Sequence, residues 1–119
     1  MESIQIAQEI AQAFASKLGE DIKILHVEEL TTLADYFVLV TGSSTTQVRA
    51  LADIAEETAE KLGLEGFRRE GRAGDRWVLL DLDTVIVHVF TKDAREYYQL
   101  DKLWADAPVI APEEAGKEE

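Results

Sequence analysis

Arg76-Trp77-Val78-Leu79-Leu80-Asp81-Leu82-Asp83-Thr84-Val85-Ile86-Val87-His88-Val89-Phe90 reads as two β-strands joined by a tight turn. Side chains alternate between the two faces of a sheet, so Val78, Leu80, Val85, Val87 and Val89 share one face. That face is purely aliphatic and belongs against helices. The opposite face carries Trp77, Leu79, Asp81, Thr84, Ile86, His88 and Phe90. It mixes large apolar rings with polar tips, the composition of a surface that meets another protein. With Leu82-Asp83 as a two-residue loop, Asp81 stands opposite Thr84, Leu79 opposite Ile86 and Trp77 opposite His88. Asp tolerates a left-handed backbone less well than Gly, and a slip of one residue here would exchange the faces.

Working outward, Ile4, Ala7, Ile10, Ala11, Phe14 and Leu18 recur at helical spacing, with Gly19 as the residue that ends the helix. Ile22, Ile24 and Val27 suggest a strand. Tyr36-Phe37-Val38-Leu39-Val40-Thr41 is apolar nearly throughout, as a central strand is. Gly42-Ser43 breaks that run, and Ser44 stands at capping-box spacing from Gln47. Val48, Leu51, Ala52, Ala55, Ala59 and Leu62 then make the stripe of a second long helix, which Gly63 ends. Residues 65–70 read as a strand ahead of the hairpin, Lys92 to Tyr98 as a short helix, and Leu100, Leu103 and Trp104 as a packed extension. Tyr97 and Tyr98 would point about 100° apart on a helix, so only one of them is expected to be buried.

The expected fold is therefore α/β with α+β character: one domain, residues 1–105, in the order α-β-β-α-β-β-β-α. Two long helices cover one face of a five-stranded mixed sheet and leave the other face at least partly open. Residues 106–119 are rich in acids, contain both prolines and read as a disordered tail.

Charge narrows the function. Twenty-four acidic residues against 12 basic give a net charge of −12, a field that repels nucleic acid and attracts basic proteins. Arg68, Arg69, Arg72 and Arg76 form a local basic cluster, interrupted by Glu70 and Asp75, and read as a solvated strand edge. The absence of cysteine excludes disulfides, thiolate zinc sites and thiol catalysis. His26 and His88 have no helical metal-ligand spacing, so neither metal nor cofactor is expected. No membrane span and no targeting segment are evident, and a cytoplasmic protein is the expectation. Gly42-Ser43 before a helix, with Asp81-Leu82-Asp83 later, is the pattern of a nucleotidyltransferase phosphate loop and metal-binding carboxylate pair. Asp at a hairpin turn and Ser at a helix cap are explained equally well by local geometry.

Several segments in order resemble the Iojap family, the ribosomal silencing factors. They are Ala34-Asp35-Tyr36-Phe37-Val38-Leu39-Val40-Thr41-Gly42-Ser43-Ser44, Trp77-Val78-Leu79-Leu80-Asp81, Val85-Ile86-Val87-His88-Val89-Phe90 and Arg95-Glu96-Tyr97-Tyr98-Gln99-Leu100-Asp101-Lys102-Leu103-Trp104. The resemblance spans residues 4–105. It implies a nucleotidyltransferase-like fold without that activity. It also implies a chain that binds the large ribosomal subunit through protein L-fourteen, obstructs joining of the small subunit and lowers translation when nutrients are scarce. Carried over to this sequence, the implied partner-binding residues are Trp77, Leu79, Asp81, Ile86, His88 and Phe90, with Tyr98, Leu100 and Trp104 from the end of the domain. Two competing readings stand beside it: a small nucleotidyltransferase using Ser43, Asp81 and Asp83, and a homodimeric adaptor that buries the same open face.

Overall fold

A computed structural model describes residues 2–110. In chain order the elements are α1 (Ser3–Ser16), β1 (Glu20–His26), β2 (Tyr36–Gly42), α2 (Thr45–Lys61), β3 (Arg68–Arg72), β4 (Trp77–Asp81), β5 (Val85–Thr91), α3 (Lys92–Tyr98), α4 (Leu100–Leu103) and β6 (Val109–Ile110). The sheet has six strands rather than five, in the order β3-β4-β5-β2-β1-β6. It is mixed: β2 and β5 run parallel at its centre and every other pair is antiparallel. The sixth strand lies in what the composition marks as tail. Val109 and Ile110 pair with Leu25 and Ile24, and Ala107 is buried. Residues 106–110 are therefore not the disordered segment expected, and the remainder of the expected tail, 111–119, lies outside the described residues.

The aliphatic face packs as its pattern demands. Val78, Leu80, Val85, Val87 and Val89 join Ile6, Ile10 and Phe14 of α1 and Val48, Leu51 and Ala55 of α2 in one buried cluster. Both helices start on side-chain caps. Glu2 and Gln5 form a capping box for α1, and Ser44 Oγ accepts from Gln47 N for α2. Gly63, at φ 81°, ends α2 as the spacing implies.

The end of α1 differs from expectation. Leu18, not Gly19, takes the left-handed conformation, at φ 63°. Gly19 is needed for space: a Cβ there would lie 2.6 Å from Val40 Cγ2. Leu18 is 81% exposed, so its side chain contributes little packing to offset the backbone strain. Leu18→Gly is expected to raise stability by about 1 kcal/mol. A urea titration measures it, and an unchanged or lower midpoint would show that the strain is absent.

The hairpin closes one residue later than read. Leu82 N donates to Val85 O at 2.9 Å, leaving Asp83-Thr84 as the loop. The strand pairs become Asp81 with Ile86, Leu79 with His88 and Trp77 with Phe90. The physical reason is Leu82. It continues the aliphatic alternation and is buried beneath the helices, whereas a place in the loop would expose it. Asp83 absorbs the turn at φ 76°, its N–H held by Asp81 Oδ1 at 2.8 Å. The register has moved by two residues, an even number, so every side chain keeps its expected face.

Candidate functional site

The face turned away from α1 and α2 is where the predicted partner-binding residues gather. Across the strands, Arg72, Trp77 and Phe90 form one row, Glu70, Leu79 and His88 the next, and Arg68, Asp81 and Ile86 the third. This face is not uniformly open. After β5 the chain turns back onto it. Thr91 Oγ1 accepts from Ala94 N to start α3, Gln99 at φ 53° makes the corner, and Leu100 drops into a second apolar cluster with Leu39, Phe37 and Phe90.

The nine predicted residues therefore separate into two groups. Trp77, Leu79, Asp81, Ile86 and Trp104 are partly exposed, and Tyr98 is 40% exposed. His88, Phe90 and Leu100 are at most 7% exposed, because α3 and α4 cover that end of the sheet. The sequence reading counts those three among the partner-binding residues; the structure buries them beneath the exposed group. Tyr97, at 81%, is more exposed than Tyr98, so neither of the adjacent tyrosines is buried.

The buried group sets the posture of the exposed one. Trp77 stacks on Phe90 with ring centres 5.2 Å apart and lies 4.8 Å from Tyr98. Its indole N–H donates to His88 Nδ1 at 3.2 Å. The Arg72 guanidinium sits 5.2 Å from the indole centre. Trp104 meets Phe37 edge to face at 5.0 Å, and Phe37 in turn meets His88. An indole held on one face by a ring, at its edge by a hydrogen bond and beneath a guanidinium has little freedom to lose on docking.

His88 accepts at Nδ1 and so carries its proton on Nε2, which has no hydrogen-bond partner and is closed off from solvent. Burial, reinforced by the charge of Arg72, lowers its pKa from 6.5 to about 3. The unfolded chain therefore takes up a proton that the folded chain refuses. Stability from this group is complete above pH 6.5 and falls as pH drops from there toward 3. The expected loss is roughly 1 kcal/mol per pH unit between 6 and 4. Urea midpoints at pH 7 and pH 5 measure it. His88→Phe should flatten the slope over that interval, and an equal slope in the variant would assign the loss to other groups.

Arg95 was not legible as a site residue, yet it fixes the end of the domain. It is 7% exposed and binds Asp101 through Nε and Nη2, one edge of its guanidinium, at 2.8 and 3.0 Å. It also donates to the Asp21 carbonyl at 2.8 Å and to Thr41 Oγ1 at 2.9 Å. One side chain thus ties α4 to β1 and β2 and so holds the segment that carries Trp104. The spacing of six residues between Arg95 and Asp101 fits no helical pairing rule, and only the left-handed corner at Gln99 brings them together.

The residues of the enzyme reading are not brought together. Ser43 follows β2 at the Gly42–Thr91 end of the central ladder, whereas Asp81 and Asp83 lie at the Tyr36–Val85 end. Seven residues of strand separate them, roughly 20 Å. Ser43 N is engaged by Gln47 Oε1, and Asp81 holds the turn. Among the described residues no group of three or more His, Asp or Glu is placed to hold a metal ion, and no helix is long and apolar enough to cross a membrane.

Comparison with known proteins meets this geometry from another direction. Residues 1–119 match the family described as "Ribosomal silencing factor during starvation". The chain is 46% identical over 99 residues to ribosomal silencing factor RsfS of Bacillus subtilis, covering 83% of this chain and 84% of that protein. It is 40% identical over 110 residues to the protein of the same name from Halalkalibacterium halodurans, covering 92% and 94%. Lower similarity, 28% over 109 residues, extends to the chloroplastic protein Iojap of Arabidopsis thaliana, of which the chain covers 45%. Among solved structures, a crystal structure of a Chromobacterium violaceum protein superposes with a TM-score of 0.83 at 33% identity, covering 88% of each chain.

Proposed function

The chain belongs to the ribosomal silencing factor family, and from this premise we propose that it binds the large ribosomal subunit through protein L-fourteen and blocks joining of the small subunit. The reading is steric and asks for no chemistry. The single observation that supports it is the half-covered aromatic face. Trp77, Leu79, Ile86, Tyr98 and Trp104 stay accessible while Phe90, His88 and Phe37 pack beneath them. Such a patch has the makeup of a binding centre: pre-set aromatic anchors with polar neighbours, here Asp81 and Arg72. Asp81 would accept from, or pair with, a basic side chain of the partner. A net charge of −12 suits a basic ribosomal protein and discourages approach of small-subunit RNA to the remaining surface. Translation then falls because large subunits are held apart, which suits nutrient limitation.

Sedimentation of the protein with separated subunits and with joined ribosomes tests the reading. The expected result is comigration with free large subunits and less joining as the protein is added. Comigration with joined ribosomes, or undiminished joining at saturation, would overturn it.

A further inference from the structure

The basic cluster at Arg68, Arg69, Arg72 and Arg76 takes on a different meaning once the sheet is assembled. β3 is the last strand on its side, so one row of its backbone N–H and C=O groups is unpaired, and all five of its residues are exposed. Alternation turns Arg68 and Arg72 toward the same face as Trp77, Leu79 and Asp81, beside which they lie in register. Two of the four arginines are already committed. Arg69, on the helix side, binds Asp53 and Glu56 of α2 at 2.6 and 2.7 Å. Arg72 pairs with Glu70 and lies over Trp77. Arg68 and Arg76 have no ion-pair partner among the described residues. Arg76 offers only one N–H to the Ala73 carbonyl and lines a cleft of about 300 Å³ with Asp93, Tyr97 and Tyr98, next to the docking face.

Four of the 12 basic residues of the chain thus fall within nine positions. Residues 68–76 hold four arginines against Glu70 and Asp75 in a chain whose net charge is −12. Exposed guanidinium groups without an ion-pair partner cost nothing in water, but they oppose the basic protein partner proposed for the neighbouring face. Their position calls for an anion beside that partner. An acidic peptide added to the β3 edge would be read through pockets for alternate side chains, whereas the five residues of β3 are all exposed. A phosphate backbone needs no pocket. It needs guanidinium forks and backbone donors along an extended line, which this edge supplies.

We propose that Arg68, at the start of the β3 edge, and Arg76, in the turn that follows β3, contact the phosphodiester backbone of large-subunit RNA flanking the protein partner. This rests on the functional reading above and extends it: the aromatic face takes the protein, the arginine edge takes adjoining phosphates, and recognition there is independent of base sequence.

The test uses the full chain and an Arg68→Ala/Arg76→Ala double variant, with two binding targets: intact free large subunits and isolated protein L-fourteen. On subunits the variant is expected to bind about tenfold more weakly at low salt, with the slope of log K against log salt reduced by about 1 to 2. On the isolated protein it should bind as the wild type does. Arg68→Lys/Arg76→Lys keeps the charge and should recover most of the loss, which separates a phosphate contact from damage to the fold. Unchanged affinity and slope on subunits would overturn the proposal. An equal loss on the isolated protein would also overturn it and assign the edge to an acidic protein segment. Failure of the wild type to bind either target would remove the functional reading itself, and this proposal with it.

Discussion

Trp77→Ala is expected to weaken binding to free large subunits by about 30-fold or more, corresponding to about 2 kcal/mol. The expectation follows from how the indole is held. Phe90 stacks against it, His88 accepts its N–H, and Arg72 lies over its ring. Because the side chain is restrained before any partner arrives, little ordering cost is left to subtract from its contact energy. The same contacts mean that the variant loses some stability, since Phe90 and His88 become more open to water. It should nevertheless fold, because the indole is not part of the cluster beneath α1 and α2. Ile86→Ala provides an independent check at a partly exposed residue two strand positions from His88. Sedimentation binding together with a circular dichroism melt separates the outcomes. If Trp77→Ala melts far below the wild type yet binds with normal affinity, the residue serves the fold and not the interface.

The largest effect on stability is expected at Arg95. Arg95→Ala removes both bonds to Asp101 and the bonds to the Asp21 carbonyl and Thr41 Oγ1. Breaking one side of a buried ion pair typically costs 3–5 kcal/mol. Asp101 is only partly buried and keeps Lys23 at 3.1 Å, so about 2–3 kcal/mol is the expected loss. Asp101→Asn should cost less, because the guanidinium retains its other acceptors. Hydrogen bonding from Arg95 holds the Asp101 pKa down to about 2, against burial, with Lys23 adding to the effect. For a carboxylate lowered in this way, the stabilisation is complete above about 4, the unfolded value, and is lost as pH falls toward 2. The difference in urea midpoint between wild type and Asp101→Asn should therefore shrink over that interval. A constant difference from pH 6 to pH 2 would show that the carboxylate charge contributes nothing.

Much of this architecture is legible from period alone. The alternation in Val78–Val89 and the stripes of the two long helices place the first core correctly, and the even register shift preserves every facial assignment. What sequence reading misses has a common cause. Burial of His88, Phe90 and Leu100 depends on where the chain goes after Thr91, and that path is set by a left-handed corner at Gln99 and an ion pair six residues long. Neither leaves a periodic trace. The sixth strand is missed because two residues are too short to alternate, and acidic, proline-bearing neighbours disguise them. The basic edge is visible as composition, but its adjacency to Trp77 appears only when Arg72 and Arg68 are set in register with Trp77 and Asp81.

The parallel pairing at the centre of the sheet also has a kinetic consequence. Tyr36–Gly42 must find Val85–Thr91, and the whole of α2 and two strands lie between them. Neighbouring strands β3, β4 and β5 meet through short connections, so that meander can assemble early as a template, whereas closure against β2 carries a long-loop entropy cost and comes later. Damage at the Asp83 turn should thus slow refolding, and loss of the Arg95 clasp, which needs β1, β2 and α4 already in place, should show mainly as faster unfolding.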